Sequence, residues 1–108
     1  LLKELEAFGQ KPPVIDAKEL LQDPSDVLYQ LCQRIGVPFE GSMLSWPVGG
    51  CYADGIWAKY WYHNVHKSSG FQPYKEKSEP FPDRLLALLE ECRPYYQELY
   101  SLAIRAGR

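Results

Sequence analysis

Residues 14–40 read VIDAKELLQDPSDVLYQLCQRIGVPFE, and the punctuation of this stretch decides the fold class. Asp23-Pro24-Ser25-Asp26 is the clearest helix start in the chain. Asp23 can cap the free N–H groups, the ring of Pro24 presets φ for the first helical position, and Asp26 meets the positive end of the helix dipole. Val27, Leu28, Leu31, Cys32 and Ile35 then recur at i, i+1, i+4, i+5, i+8, one apolar stripe at helical period. Gly36 ends the helix, and Pro38 follows it. Cys32 lies within the stripe and reads as a small buried hydrophobe. Ahead of this helix, Val14-Ile15-Asp16 is a short strand signal and Ala17 to Gln22 one or two helical turns. One strand cannot form a sheet alone. The pattern therefore predicts a mainly α unit with one short strand.

Toward the N-terminus, Leu1, Leu2, Leu5 and Phe8 mark a helix that Gly9 stops. Gln10 to Pro13 is a linker, since two prolines forbid helix and ladder alike. The apolar pattern is already running at Leu1, which fits either a helix cut from a longer chain or a trimmed one. Toward the C-terminus, Phe39 to Trp46 is a connector with room for one helical turn around Met43. The stretch WPVGGCYADGIWAKYWYHNVHKSSGFQPY (46–74) follows and holds all three tryptophans and both histidines. Its Gly- and Pro-rich first part, Pro47 to Gly55, is a loop. Ile56 to Lys67 reads as a short helix with Trp57, Trp61 and Val65 on one face and Lys59, His63 and His66 on the other. QPYKEKSEPFPD (72–83) is a surface loop. Pro82 opens a last helix expected to reach about Ala106, with a seam of Leu85, Leu89, Cys92, Tyr96, Leu99 and Ala103. Pro94 should kink it near Glu90 to Arg93.

The 108 residues are the size of one domain, with 45% hydrophobic residues and a net charge of −2. No basic field points to nucleic acid. No apolar run approaches the roughly 20 residues a membrane helix needs, and no leader pattern opens the chain. Three cysteines without a CxxC spacing fit a reducing, cytoplasmic compartment better than a disulfide framework.

Three chemistries are conceivable in the 46–74 stretch. Cys51 with His63 or His66 could form a nucleophile–base pair, but nothing local orients a histidine, and a packing role is the simpler reading. Cys51, His63 and His66 could share a metal ion, yet HNVH lacks the glutamate of a HExxH site, so no metal is expected. Gly49, Gly50 and Gly55 precede a helix start that could meet a phosphate, but without GK[ST] turn formation accounts for them. No catalytic residue is assigned.

The order of these segments resembles P-loop sulfotransferases of the bacterial type. VIDAKELLQDPSDVLYQLCQRIGVPFE is similar to that family's strand ending in an acidic residue, its DLL-x-DP turn, a helix, and LG-[IV]-PF. SMLSWPVGG, DGIWAKYWYHNVHKSSGF and the RPYYQEL of the closing helix look like the same family's C-terminal part. The resemblance implies that the chain corresponds to the C-terminal part of an α/β parent fold that moves a sulfuryl group from PAPS to a hydroxyl or amine. The family's donor-binding P-loop has no counterpart in these 108 residues, so no cofactor is expected in this chain alone. Gly55 and Trp57 match the glycine and tryptophan of a GDW loop that covers the donor, with Lys59 the nearest cation and Ile56 in place of the aspartate. This implies donor contact by Gly55, Trp57 and Lys59. It equally allows Tyr60, Trp61 and His63 to line an acceptor pocket, or Trp57 and Trp61 to be core. The expected function is the C-terminal part of a sulfotransferase-like protein that is not catalytic alone. A small helical interaction module is the alternative. An unpaired Val14–Asp16 strand would then drive homodimer formation or recruit a complementing chain.

Overall fold

The computed structural model describes residues 1–107. Its order is α1 (Leu2–Ala7), α2 (Ala17–Gln22), α3 (Pro24–Ile35), a 3-10 turn at Gly41–Leu44, α4 (Ala58–Trp61), α5 (His63–Lys67), a 3-10 turn at Asp83–Leu85, and α6 (Leu86–Leu102). The chain is mainly helical. Extended backbone pairs only as two isolated bridges among the described residues, Val14 with Ala103 in parallel and Ser45 with Gly70 antiparallel.

The α3 signals act as the sequence demands. The Asp26 N–H donates to Asp23 Oδ1 at 3.1 Å, and Pro24 opens the first turn. Gly36 adopts φ 76°, the left-handed conformation that closes the helix without a Cβ penalty. Asp16 also caps a helix: its Oδ2 accepts from the N–H groups of Lys18 at 3.0 Å and Glu19 at 3.3 Å. It therefore ends the extended segment and starts α2.

Val27 and Cys32 of α3 are buried, together with Ala58, Ala103 and Ile104. α2 packs on α3, and α3 on the Gly41–Leu44 turn, where Cys32 Sγ lies 4.0 Å from Met43 Sδ. Tyr29 meets Phe39 edge-on at 6.0 Å. The second tie joins the two ends of the chain. α6 stops at Leu102, four residues short of the expected end, because Ala103 turns extended (φ −69°, ψ 148°). The Ile104 N–H then donates to the Val14 carbonyl at 2.9 Å. Val14 thus finds its partner within the chain, contrary to the expectation of an unpaired strand.

A polar cluster fastens this junction. Buried Glu19 accepts from the Tyr100 hydroxyl at 2.6 Å and from the Ala106 N–H at 2.9 Å, with Arg105 at 3.7 Å. The Arg105 guanidinium lies over the Tyr100 ring, 3.7 Å from its centroid. One turn back, the Tyr96 hydroxyl donates to Asp16 Oδ1 at 2.7 Å and its ring stacks on Tyr100. Tyr100 holds the Glu19 carboxyl below its usual range, with the Ala106 N–H as the next cause. The Asp16 carboxylate pushes the Tyr96 phenol up to about 12.

One further expectation is corrected. α6 continues through Pro94, and its expected seam is mostly open: Cys92, Tyr96 and Leu99 are exposed and only Ala103 is buried. The radius of gyration is 17.0 Å, against about 13 Å for a compact chain of this length. Among the described helical elements α6 runs close only to the Asp83–Leu85 turn, so the amphipathic pattern does not become burial.

Candidate functional site

The 46–70 segment is a closed excursion. At its base lie the Ser45–Gly70 bridge, the Trp46 N–H donating to the Ser69 carbonyl at 2.9 Å, and the Gly49 N–H donating to the His66 carbonyl at 2.8 Å. Trp46 stands as the post of this closure. Its indole N–H donates to Ser68 Oγ at 3.0 Å, and its ring meets Phe71 edge-on at 5.4 Å.

Inside the excursion a turn builds the site. The Asp54 N–H donates to the Cys51 carbonyl at 3.0 Å, and the Cys51 N–H returns a bond to Asp54 Oδ2 at 2.9 Å. The same Oδ2 lies 2.9 Å from His66 Nε2. Asp54 is therefore the orienting group that sequence reasoning did not find for a histidine. The signal was a carboxylate three residues after Cys51, which becomes readable only once the chain returns at His66. The Cys51 N–H first, and then His66, hold the Asp54 carboxyl below its usual range. The Tyr62 ring stands edge-on to the imidazole at 5.9 Å. Gly50 passes so close that a Cβ there would sit 3.3 Å from His66 Cε1 and 3.5 Å from Asp54 Oδ2. A side chain there would press the imidazole aside by a few tenths of an ångström.

Two open clefts share this pair as a common wall. One, of about 520 Å³, is lined by Gly55, Ile56, Ala58 and Lys59 on its far side. The other, of about 550 Å³, is lined by Trp46, Pro47, Val48, Tyr52 and Val65. Of the residues singled out from sequence, Gly55 and Lys59 come together on the first cleft, with Lys59 Nζ 5.0 Å from the Tyr60 ring centroid. Trp57 leads into α4 and is 62% exposed, so it is not core here. Tyr60, Trp61 and His63 are exposed and line neither cleft. The reason is a break: the helix expected over 56–67 is two short helices, α4 and α5, with Tyr62 between them. The break turns His66 inward and leaves His63 in solvent. Cys51 lines both clefts, and all three cysteines are free thiols. No group of three metal-ligating side chains exists among the described residues.

The residues that the first cleft offers do not fit a nucleotide bisphosphate. One cation, Lys59, faces it, and the Asp54 carboxylate shares the same wall. An ionised carboxylate there opposes a polyanion that the lysine attracts.

Comparison with known proteins places the chain. A family model described as a sulfotransferase domain matches residues 9–103. The chain belongs to that family. Two curated Arabidopsis thaliana relatives share the same stretch. Branched-chain-amino-acid aminotransferase-like protein 2 is 40% identical over 99 residues, covering 92% of this chain and 18% of the relative. Branched-chain-amino-acid aminotransferase-like protein 1 is 42% identical over 101 residues, covering 94% and 18%. The chain thus spans under a fifth of the length of these relatives. No solved structure matches it significantly. As a sulfotransferase-family chain, it carries its family match from Gly9 through the Ala103 bridge, so the 46–70 excursion lies within the family region.

Proposed function

We propose that the chain is the C-terminal part of a sulfotransferase-like protein and is not catalytic by itself. The observation that carries this reading is the sulfotransferase-domain match over residues 9–103, in a sequence with no P-loop motif. In this reading the PAPS cradle comes from other sequence, and the 46–70 excursion supplies one wall of the site. Transition-state charge on a moving sulfuryl group needs preorganised donors around it, and one lysine on an open cleft is not such a cradle. The aminotransferase-like names belong to the Arabidopsis proteins as wholes. The stretch they share with this chain is the sulfotransferase-domain stretch, so aminotransfer is not what it supports. The test is transfer of radiolabelled sulfate from PAPS to a panel of hydroxyl and amine acceptors. It is run on the chain alone and on the chain fused behind the P-loop segment of a sulfotransferase. Transfer by the fusion only is expected. A folded, donor-binding fusion that transfers nothing refutes the reading.

Self-association is favoured by a separate observation. Ile56, Trp57 and Trp61 are each more than half exposed within six residues of the excursion, and large apolar side chains left in water together favour an interaction site. The reading is a homodimer in the cytoplasm, with a complementing protein chain as the alternative partner. Light scattering after size exclusion should give twice the 12.5 kDa chain mass. A monomer at every concentration would count against it.

A further inference from the structure

The two clefts beside Asp54 and His66 differ in chemistry. Lys59 faces the first. In the second, the only Asp, Glu, Lys or Arg side chain among the described residues is Asp54, and Trp46, Val48, Tyr52 and Val65 stand beside the Gly49–Cys51 backbone in the rest of its wall. We propose that this second cleft is a binding site for an arylalkyl ammonium, its ring against Trp46 and Tyr52 and its cationic head at Asp54 Oδ1. The inference does not depend on sulfuryl transfer.

Four features of the site support it. The volume, about 550 Å³, falls within the range of small-molecule pockets. The Asp54 carboxylate accepts from the Cys51 N–H while the Asp54 backbone N–H donates to the Cys51 carbonyl, so the turn holds the charge in place to receive a cation. Its two oxygens leave acceptor capacity beyond the Cys51 and His66 bonds, both of which fall on Oδ2. His66 offers the complementary feature. Its Nε2 lies 2.9 Å from Asp54 Oδ2 and occupies that oxygen, which leaves Oδ1 for the head group. Trp46 is held rigid by Ser68 and Phe71, whereas Tyr52 is fully exposed and free to close over a ring. Aromatic walls around a cation add their quadrupole to the carboxylate. An anion meets the opposite field on this side.

The probe is tyramine, followed by NMR at the Trp46 indole N–H and the His66 ring, with 4-ethylphenol as the neutral partner of the same shape. Saturable shifts at both groups are expected with tyramine. 4-Ethylphenol should bind about tenfold more weakly, the scale of one modestly screened charge contact. Asp54→Asn keeps an oxygen for the Cys51 N–H but loses the charge, so it should weaken tyramine about tenfold and leave 4-ethylphenol unchanged. Lys59→Gln, on the other cleft, should change neither. Equal affinity for the two probes in the unaltered chain overturns the proposal, and so does the absence of shifts at Trp46 and His66. If Asp54→Asn disorders the loop, the comparison of the two probes on the unaltered chain still decides. Shifts of the same groups by adenosine 3′,5′-bisphosphate would also overturn it and assign the cleft to an anion.

Discussion

Truncation of Ile104 should destabilise this chain far more than truncation of Trp57, although tryptophan is the larger side chain. Ile104 is fully buried, while Trp57 keeps 62% of its surface in water. Ile104→Ala removes three carbons. At about 0.8 kcal/mol for each buried methylene, the transfer loss is about 2.4 kcal/mol. The cavity left behind adds to this, within the roughly 2–5 kcal/mol seen for such truncations. The Ile104 N–H bond to the Val14 carbonyl at 2.9 Å is a backbone bond and survives the change. The effect therefore isolates packing at the junction of the two chain ends. A domain of this size loses roughly 4–8 °C of midpoint per kcal/mol, so the melt should fall by about 10–20 °C. Trp57→Ala should stay within about 0.5 kcal/mol, as surface changes do. Far-UV circular dichroism melts and urea titrations of both variants read the difference. A Trp57→Ala midpoint lower than that of Ile104→Ala would refute the reasoning. It would mean that the excursion, and not the end junction, holds the fold.

Tyr100→Phe should flatten the acid limb of stability. Glu19 is held below its ordinary 4.5, chiefly by the Tyr100 hydroxyl. Its contribution is therefore full above the unfolded value and lost as pH falls through the folded one. Urea melts between about pH 6 and about pH 3 should show a smaller decline in the variant than in the parent, and equal slopes would exclude the Tyr100–Glu19 bond as a source. Asp16→Asn should bring the Tyr96 phenol down from about 12 while keeping the α2 cap, since the amide oxygen still accepts from Lys18 and Glu19. Ultraviolet titration of phenolate formation follows this directly, and an unshifted late-titrating tyrosine would disprove the assignment. Calorimetric titration of the chain alone with adenosine 3′,5′-bisphosphate should give no measurable heat of binding. Micromolar binding would refute the expectation that the donor cradle comes from other sequence.

The local sequence was enough to set the helices and their ends. Asp23, Pro24 and Gly36 act within a turn or two of their own positions, so the bounds of α3 need no tertiary information. The mainly α class, the turn near Met43 and the burial of Cys32 follow from the same short-range logic. The family resemblance was legible for a similar reason: it rests on contiguous motifs, and residues 9–103 carry it. Burial along α6 was not legible. A seam at helical spacing states only which residues share a face, and whether that face is covered depends on what other segments reach it. The site was hidden by the same limit. Asp54 and His66 are separated by a loop and two short helices, and they meet only because Trp46, Gly49 and the Ser45–Gly70 bridge close the excursion on itself. Glu19 and Tyr100 stand at opposite ends of the chain and are 2.6 Å apart. No periodicity spans such distances. Pairings of this kind are decided by the return of the chain, because a hydrogen bond between remote groups forms only where the backbone has already brought them together.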